Sequence, residues 1–130
     1  MPKGIHFDIA ADDPEKAVTF YHSVFGWQIN KFEGPMDYWL VTAGSQSEPG
    51  IDGGIGKRSD RVATGRSGHI IITFSVPSVD EYIERIRKAG GNVLMAKAPI
   101  PGVGYIAYCT DAEGNEFGIL EADPSARIQV

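Results

Sequence analysis

Apolar and polar residues alternate through Ile5-His6-Phe7-Asp8-Ile9, the period of two that a half-buried strand requires. Ile5, Phe7 and Ile9 then point one way, and His6 and Asp8 the other. Asp13 before Pro14 suits an N-cap followed by the first helical position. Ala17, Phe20, Tyr21 and Val24 follow at i, i+3, i+4 and i+7, which predicts one buried helical stripe. Gly26 can take the left-handed conformation that ends a helix. The helix is expected to bury its stripe, Phe20 included, against Ile5, Phe7 and Ile9. The opposite sheet face, with His6 and Asp8, is left where a ligand could lie.

The remaining elements follow the same logic. Residues 27–32 alternate and read as a second strand, residues 33–37 as a hairpin loop, and residues 38–42 (YWLVT) as a third strand. After a loop over 44–50, residues 51–56 (IDGGIG) read as a fourth strand, with Ile51 and Ile55 on one face. Asp52, Gly54 and Gly56 occupy the other face, where glycines leave room for a ligand or another backbone. Residues 57–68 are polar and read as a linker.

A second copy of the plan then begins. Residues 69–76 form a strand, and Ser78 with Glu81 makes a capping box. Val79, Tyr82, Ile83, Ile86 and Ala89 form the helical stripe, and Gly90-Gly91 stops the helix. Strands over 92–96, 105–110 and 116–121 follow, with a loop at 99–102, a turn at 111–115 and a polar tail over 122–130. The repeat predicts an α+β fold of two βαβββ modules in one domain, residues 1–130. Module one covers 4–56 and module two 69–121. Neither half has enough apolar surface to stand alone.

Composition narrows the partners. The chain has 130 residues, 42% of them hydrophobic, enough for one domain with a real core. Its net charge of −5 comes with no basic cluster, which argues against nucleic acid. No apolar run reaches membrane-spanning length, and the N-terminus does not resemble a signal peptide, so no membrane is expected and the cytoplasm is. The single Cys109 excludes an internal disulfide and reads as a small core residue in an apolar strand. His22, among polar neighbours on the first helix, is expected at the surface.

His6, the Asp13-Pro14 cap, Ala17, Phe20-Tyr21, Val24 to Trp27, Ala89-Gly90-Gly91, and Asp111 to Asn115 with Phe117 resemble the vicinal oxygen chelate superfamily. That superfamily includes glyoxalase I, bleomycin- and fosfomycin-resistance proteins and extradiol dioxygenases. The resemblance covers residues 4–121. Segments 38–42, 76–82 and 99–105 are similar to a bacterial subgroup related to lactoylglutathione lyase, which has no assigned reaction. The resemblance implies that each βαβββ module curls into half of a cup with its helix outside, and that the site lies in the cup. Half-cups leave an edge that must pair, which implies a homodimer.

Metal-dependent members of the family place one ligand on each of the first, fourth, fifth and eighth strands. Carried onto this chain, the first position falls on His6 and the fourth on Gly54, with Asp52 two residues earlier. His69 is near the fifth position, but His6 precedes Gly26 by twenty residues and the same count back from Gly91 gives Ile71. The eighth position falls on Gly118, with Glu116 one rung away. The implied metal site is therefore degenerate, and no metal or other cofactor is expected. His6 and Asp8 are the candidates for acid–base chemistry. The expected ligand lining is His6, Trp39, Gly54, Ile71, Tyr105 and Gly118. Trp39 alternates with Tyr38, so either strand parity puts an aromatic in the cup. Three readings stay open: a glyoxalase-like protein binding a small organic molecule, a metal-dependent lyase, isomerase or dioxygenase using a shifted set (His6, Asp52, His69, Glu116), and a regulatory or interaction module.

Overall fold

A computed structural model describes residues 2–33, 37–44, 47, 50–57 and 70–127. His69 and most of the predicted linker, residues 58–68, lie outside the described residues. The chain divides into two compact units, Ile5–Ile71, and Ile72–Val130 together with Met1–Gly4.

The N-terminal unit contains β1 (Lys3–Ala11), α1 (Pro14–Phe25), β2 (Gln28–Lys31), β3 (Tyr38–Thr42) and β4 (Asp52–Lys57). Its strands lie in the order β2-β3-β4-β1, with β1 and β4 parallel and the other pairs antiparallel. The parallel pair is made possible by the rest of the unit acting as a long crossover. Asp13 caps α1 by accepting the Lys16 N–H at 3.3 Å, and Pro14 stands at its first turn. Gly26 ends it at φ 71°, where its N–H donates to the His22 carbonyl at 2.9 Å.

The buried stripe of α1 is not the one its sequence spacing predicts. Phe20 and Val24 are 56% and 55% exposed, while Ala17 and Tyr21 are half-buried. The reason is Trp27, just past the helix. Its ring stacks on Tyr21 (centroids 5.2 Å, 5°) and on Phe25 (5.2 Å), and tilts against Phe7 of β1 at 5.5 Å. The helix thus leans on the sheet through Tyr21 and Trp27. This turns Phe20 outward to an edge-on contact with Tyr21 at 5.2 Å.

The C-terminal unit contains β5 (Ile70–Ser75), α2 (Val79–Lys88), β6 (Asn92–Ile100), β7 (Gly104–Thr110) and β8 (Glu116–Ala122). Its strand order, β6-β7-β8-β5 with β5 and β8 parallel, repeats that of the first unit. Val76, Val79, Ile83, Ala107, Cys109 and Ile119 form its core, and Tyr82, Ile86, Val93, Tyr105 and Phe117 pack around them. Here the predicted helical stripe is the buried one, except Ala89, which is exposed at the helix end.

Ser78 caps α2 by accepting the Glu81 N–H at 3.2 Å, but the Glu81 carboxylate turns outward to Arg85 at 2.8 Å instead of closing the box. The Val79 N–H is taken instead by Glu121 of β8 at 2.9 Å, which pins the helix start to the sheet. β6 runs four residues beyond its predicted end and includes Pro99. Proline is tolerated there because β6 is the outer strand of its unit, and register shifts at Val93/Met95 and Met95/Ala98 break the ladder nearby. The supposed tail is tied down as far as it is described. The Ala126 carbonyl accepts the Gly102 N–H at 3.0 Å, and Asp123 N–H donates to Val103 at 2.9 Å.

Two outcomes follow for stability. Phe20→Ala should cost under about 1 kcal/mol, as an exposed position, whereas Ile55→Ala should cost roughly 2–5 kcal/mol. Ile55 is fully buried. Urea unfolding of both variants checks the contrast, and equal losses would contradict the assignment of the core. Burial raises the Cys109 thiol above its ordinary value. The thiolate is the reactive form, so native protein at pH 8 should react with Ellman's reagent far more slowly than unfolded protein.

Candidate functional site

Strand parity divides the N-terminal unit into two faces. On one, Phe7, Ile9, Trp39, Val41 and Ile55 are buried, and register sets Trp39 against Ile55 and Ile9 against Ile55. On the other stand His6, Asp8, Tyr38, Asp52 and Gly54, with His6 opposite Asp52 and Asp8 opposite Gly54. The two faces differ in chemistry because the sequence alternates apolar and polar residues on β1 and sets Ile55 on β4 between Gly54 and Gly56.

Three side chains converge on the polar face. The Tyr38 hydroxyl donates to Asp8 Oδ1 at 2.6 Å and lies 3.1 Å from His6 Nε2. His6 Nε2 is 3.6 Å from the same carboxylate oxygen. A phenol has one proton. With it committed to Asp8, the short contact to His6 requires a proton on Nε2, so the imidazole donates to the phenol oxygen. The result is a directed chain, His6 to Tyr38 to Asp8, across three residues that are far apart in sequence. The Asp8 side chain is 9% exposed and that of His6 33%, so the carboxyl group stands at the buried end and the imidazole reaches the accessible end.

Gly54 is what admits the tyrosine. A Cβ at position 54 would overlap Tyr38 Oη and Cζ, and any larger side chain would expel the ring. The space that the sequence predicts at Gly54 for a ligand is therefore filled, at its base, by the Tyr38 hydroxyl.

The predicted lining residues fall on different faces. His6, Asp8 and Gly54 share the polar face. Trp39 lies on the opposite, buried face with Val41, and Tyr38 takes the position that parity had left open between them. Tyr105, predicted at a rim, packs against the α2-side core of the C-terminal unit with Lys97 4.6 Å above its ring. Ile71 is 1% exposed, and Gly118 lies beside Thr73 on a strand face of the C-terminal unit. Tyr38 is the polar-face residue that the sequence reading offered only as the alternative to Trp39. The signal was present in Gly54: a glycine facing a strand that begins with tyrosine invites the ring across.

These residues do not fit the metal set of the family. Gly54 and Gly118 carry no donor atom, Ile71 is aliphatic, and the space over Gly54 holds a phenol. In the shifted set, Asp52 Oδ1 accepts the Ala43 N–H at 3.0 Å, and His69 lies outside the described residues. Among the described residues, no three His, Cys, Asp or Glu side chains gather as a metal site would require. His22 is exposed, its Nδ1 2.9 Å from the Trp27 carbonyl. No described helix is long and apolar enough to cross a membrane.

Comparison with known proteins agrees with the repeat. A Mycobacterium bovis protein described provisionally as a glyoxylase, CFP32, is 28% identical over 119 residues, covering 90% of this chain. The chain spans 43% of that protein's length. The lactoylglutathione lyase of Salmonella typhimurium is 26% identical, aligned over 95% of each chain. Streptomyces coelicolor methylmalonyl-CoA epimerase, solved in complex with 2-nitronate-propionyl-CoA, shares the fold at a TM-score of 0.67 and 18% identity, over 97% of this chain and 98% of that one. The model of the glyoxalase/bleomycin resistance protein/dioxygenase superfamily matches residues 5–119. With a family match over nearly its whole length and both βαβββ units in place, the chain belongs to the glyoxalase/bleomycin resistance protein/dioxygenase superfamily.

Proposed function

We propose that the protein binds a small organic molecule carrying a carbonyl or similar acceptor oxygen, at the polar face of its N-terminal unit, without a metal ion. The Tyr38 hydroxyl between His6 and Asp8 carries this reading. A half-exposed imidazole backed by a phenol and a buried carboxylate can give or take a proton at its accessible side. The carboxylate stabilises the imidazolium that forms, through the phenol and directly at 3.6 Å. Such a set can hold a ligand oxygen, and it can move a proton on a carbon beside a carbonyl. Epimerisation next to a thioester, the reaction named for the Streptomyces coelicolor relative in fold, requires proton movement of that kind. The same proposal puts the protein in the cytoplasm, on its one cysteine, and makes it a homodimer.

The metal is the first point to check. Protein purified without a His-tag should hold no stoichiometric transition metal, should bind Ni²⁺, Zn²⁺ and Mn²⁺ only weakly, and should lack lactoylglutathione lyase activity. One equivalent of metal by elemental analysis, lost on His6→Ala, would instead support the metal-dependent reading.

Tyr38 is the second. Tyr38→Phe keeps the ring over Gly54 and removes the bridge, and should cost about 1–3 kcal/mol of stability, the usual loss for a buried hydrogen-bonding group. Its His6 ring signals should move in the NMR spectrum. Small carbonyl compounds that shift His6 in the native protein should bind at least tenfold more weakly to His6→Ala. Native His6 signals indifferent to every such compound would count against a ligand at this face.

A further inference from the structure

A groove of about 300 Å³ runs between α1 and β2 of the N-terminal unit, lined by Val18, Thr19, His22, Ser23 and Ile29. Register sets Ile29 opposite Val41, so it lies on the helix side of the sheet, away from His6, Tyr38 and Asp8. Val18 and Ile29 are half-buried and supply an apolar wall. Thr19, His22 and Ser23 are exposed and supply a polar one. No Lys, Arg, Asp or Glu is among the lining residues.

The protons of two of these polar side chains are already used inside the unit. His22 Nδ1 lies 2.9 Å from the Trp27 carbonyl, which can only accept, so Nδ1 carries a proton. In the neutral ring Nε2 is then a bare lone pair on an exposed imidazole. The Thr19 hydroxyl donates to the Glu15 carbonyl at 3.1 Å, which leaves its oxygen with acceptor capacity only. Both contacts follow from the local course of the chain. Glu15 and Thr19 are one helical turn apart, and the stop at Gly26 brings the Trp27 carbonyl back to the last turn of α1. The groove therefore presents acceptors. His22 also stands in that last turn, at the negative end of the helix dipole, where a cation is favoured.

We infer that this groove is a binding site for a small primary amine, whose ammonium group donates to His22 Nε2 and Thr19 Oγ1 while its alkyl part covers Val18 and Ile29. An ammonium group carries three donors and no acceptor, the complement of what the polar wall presents. Thr19 and His22 are three residues apart on one helix, hence neighbours on its surface, so one head group reaches both. The Ser23 hydroxyl is a further acceptor beside them. A carboxylate would meet only lone pairs and the negative end of the helix. The site lies on the opposite side of the sheet from His6, Tyr38 and Asp8 and stands whatever their role.

The test uses the full chain, nitrogen-labelled for NMR at pH 8, with isobutylamine, isobutanol and isobutyrate as probes: one alkyl group with three heads. Isobutylamine should shift the His22 ring signals and the Val18 and Ile29 amide signals saturably, isobutanol should bind at least threefold more weakly, and isobutyrate should leave them unmoved. His22→Leu and Thr19→Val, each at an exposed position, should keep the unfolding midpoint and lower the affinity for isobutylamine at least threefold, read at the same amides. Native His22 signals that isobutylamine does not move, isobutyrate binding as tightly as the amine, or undiminished affinity in either variant would overturn the inference. So would amine shifts confined to residues around surface carboxylates, which would mark adventitious pairing with an acidic chain only. Should His22→Leu not fold, Thr19→Val decides alone by the same criterion.

Discussion

The 2.6 Å hydrogen bond from Tyr38 to Asp8 is the contact on which the polar face of the N-terminal unit depends. It gives the nearly buried carboxylate a donor, since a carboxylate out of water requires charge-assisted hydrogen bonds to stay ionised at acceptable cost. It also fixes where the phenol oxygen sits, and hence which nitrogen of His6 carries a proton. Both consequences require the end of the Tyr38 ring to occupy the space beside residue 54, and only glycine allows that. One missing side chain therefore sets the position of a hydroxyl, the tautomer of a histidine and the environment of an acid.

The C-terminal unit uses the same device to a different end. Gly118 on β8 corresponds in the repeat to Gly54 on β4, and it too lets a tyrosine and a polar side chain, Tyr108 and Thr73, approach closely. At Gly54 the tyrosine hydroxyl closes the space and completes a hydrogen-bonded chain. At Gly118 the ring edge of Tyr108 and the side chain of Thr73 close the space, and the Thr73 hydroxyl has no hydrogen-bond partner among the described residues. A repeated fold with glycine at equivalent positions has thus produced a hydrogen-bonded chain in one unit and, in the other, a buried threonine hydroxyl with no hydrogen-bond partner among the described residues.

How far the sequence disclosed this follows from how local each determinant is. The caps at Asp13 and Ser78, the stop at Gly26 and the strand alternation around His6 depend on neighbours within a few residues, and the structure places them as the pattern implies. The face of β3 could not be read, because Tyr38 and Trp39 are both aromatic and only the register with β4 chooses between them. The outward turn of Phe20 was hidden for a related reason. Its position in the stripe is correct for an isolated helix, but Trp27, outside the helix, takes the contact with the sheet. Tyr105 failed in the same way as Trp39, since the loop before it suggested a rim while strand parity sent the ring to the core.

The mismatch between these residues and the family's metal-ligand set can be argued from the same atoms. A divalent ion needs about three donors at fixed distances, and its attraction comes largely from anionic or imidazole ligands arranged around one point. Here the positions that would supply them hold two glycines and an isoleucine, and the one histidine that remains is engaged with a phenol. Glycine at a ligand position does not merely remove a donor atom. It frees volume, and at Gly54 that volume is filled by a neutral donor with an acid behind it. A Lewis acid stabilises developing negative charge with a full positive charge, whereas a histidine–tyrosine–aspartate set does so with hydrogen bonds and one mobile proton. The second arrangement is weaker at holding an enolate but well suited to recognising an oxygen acceptor.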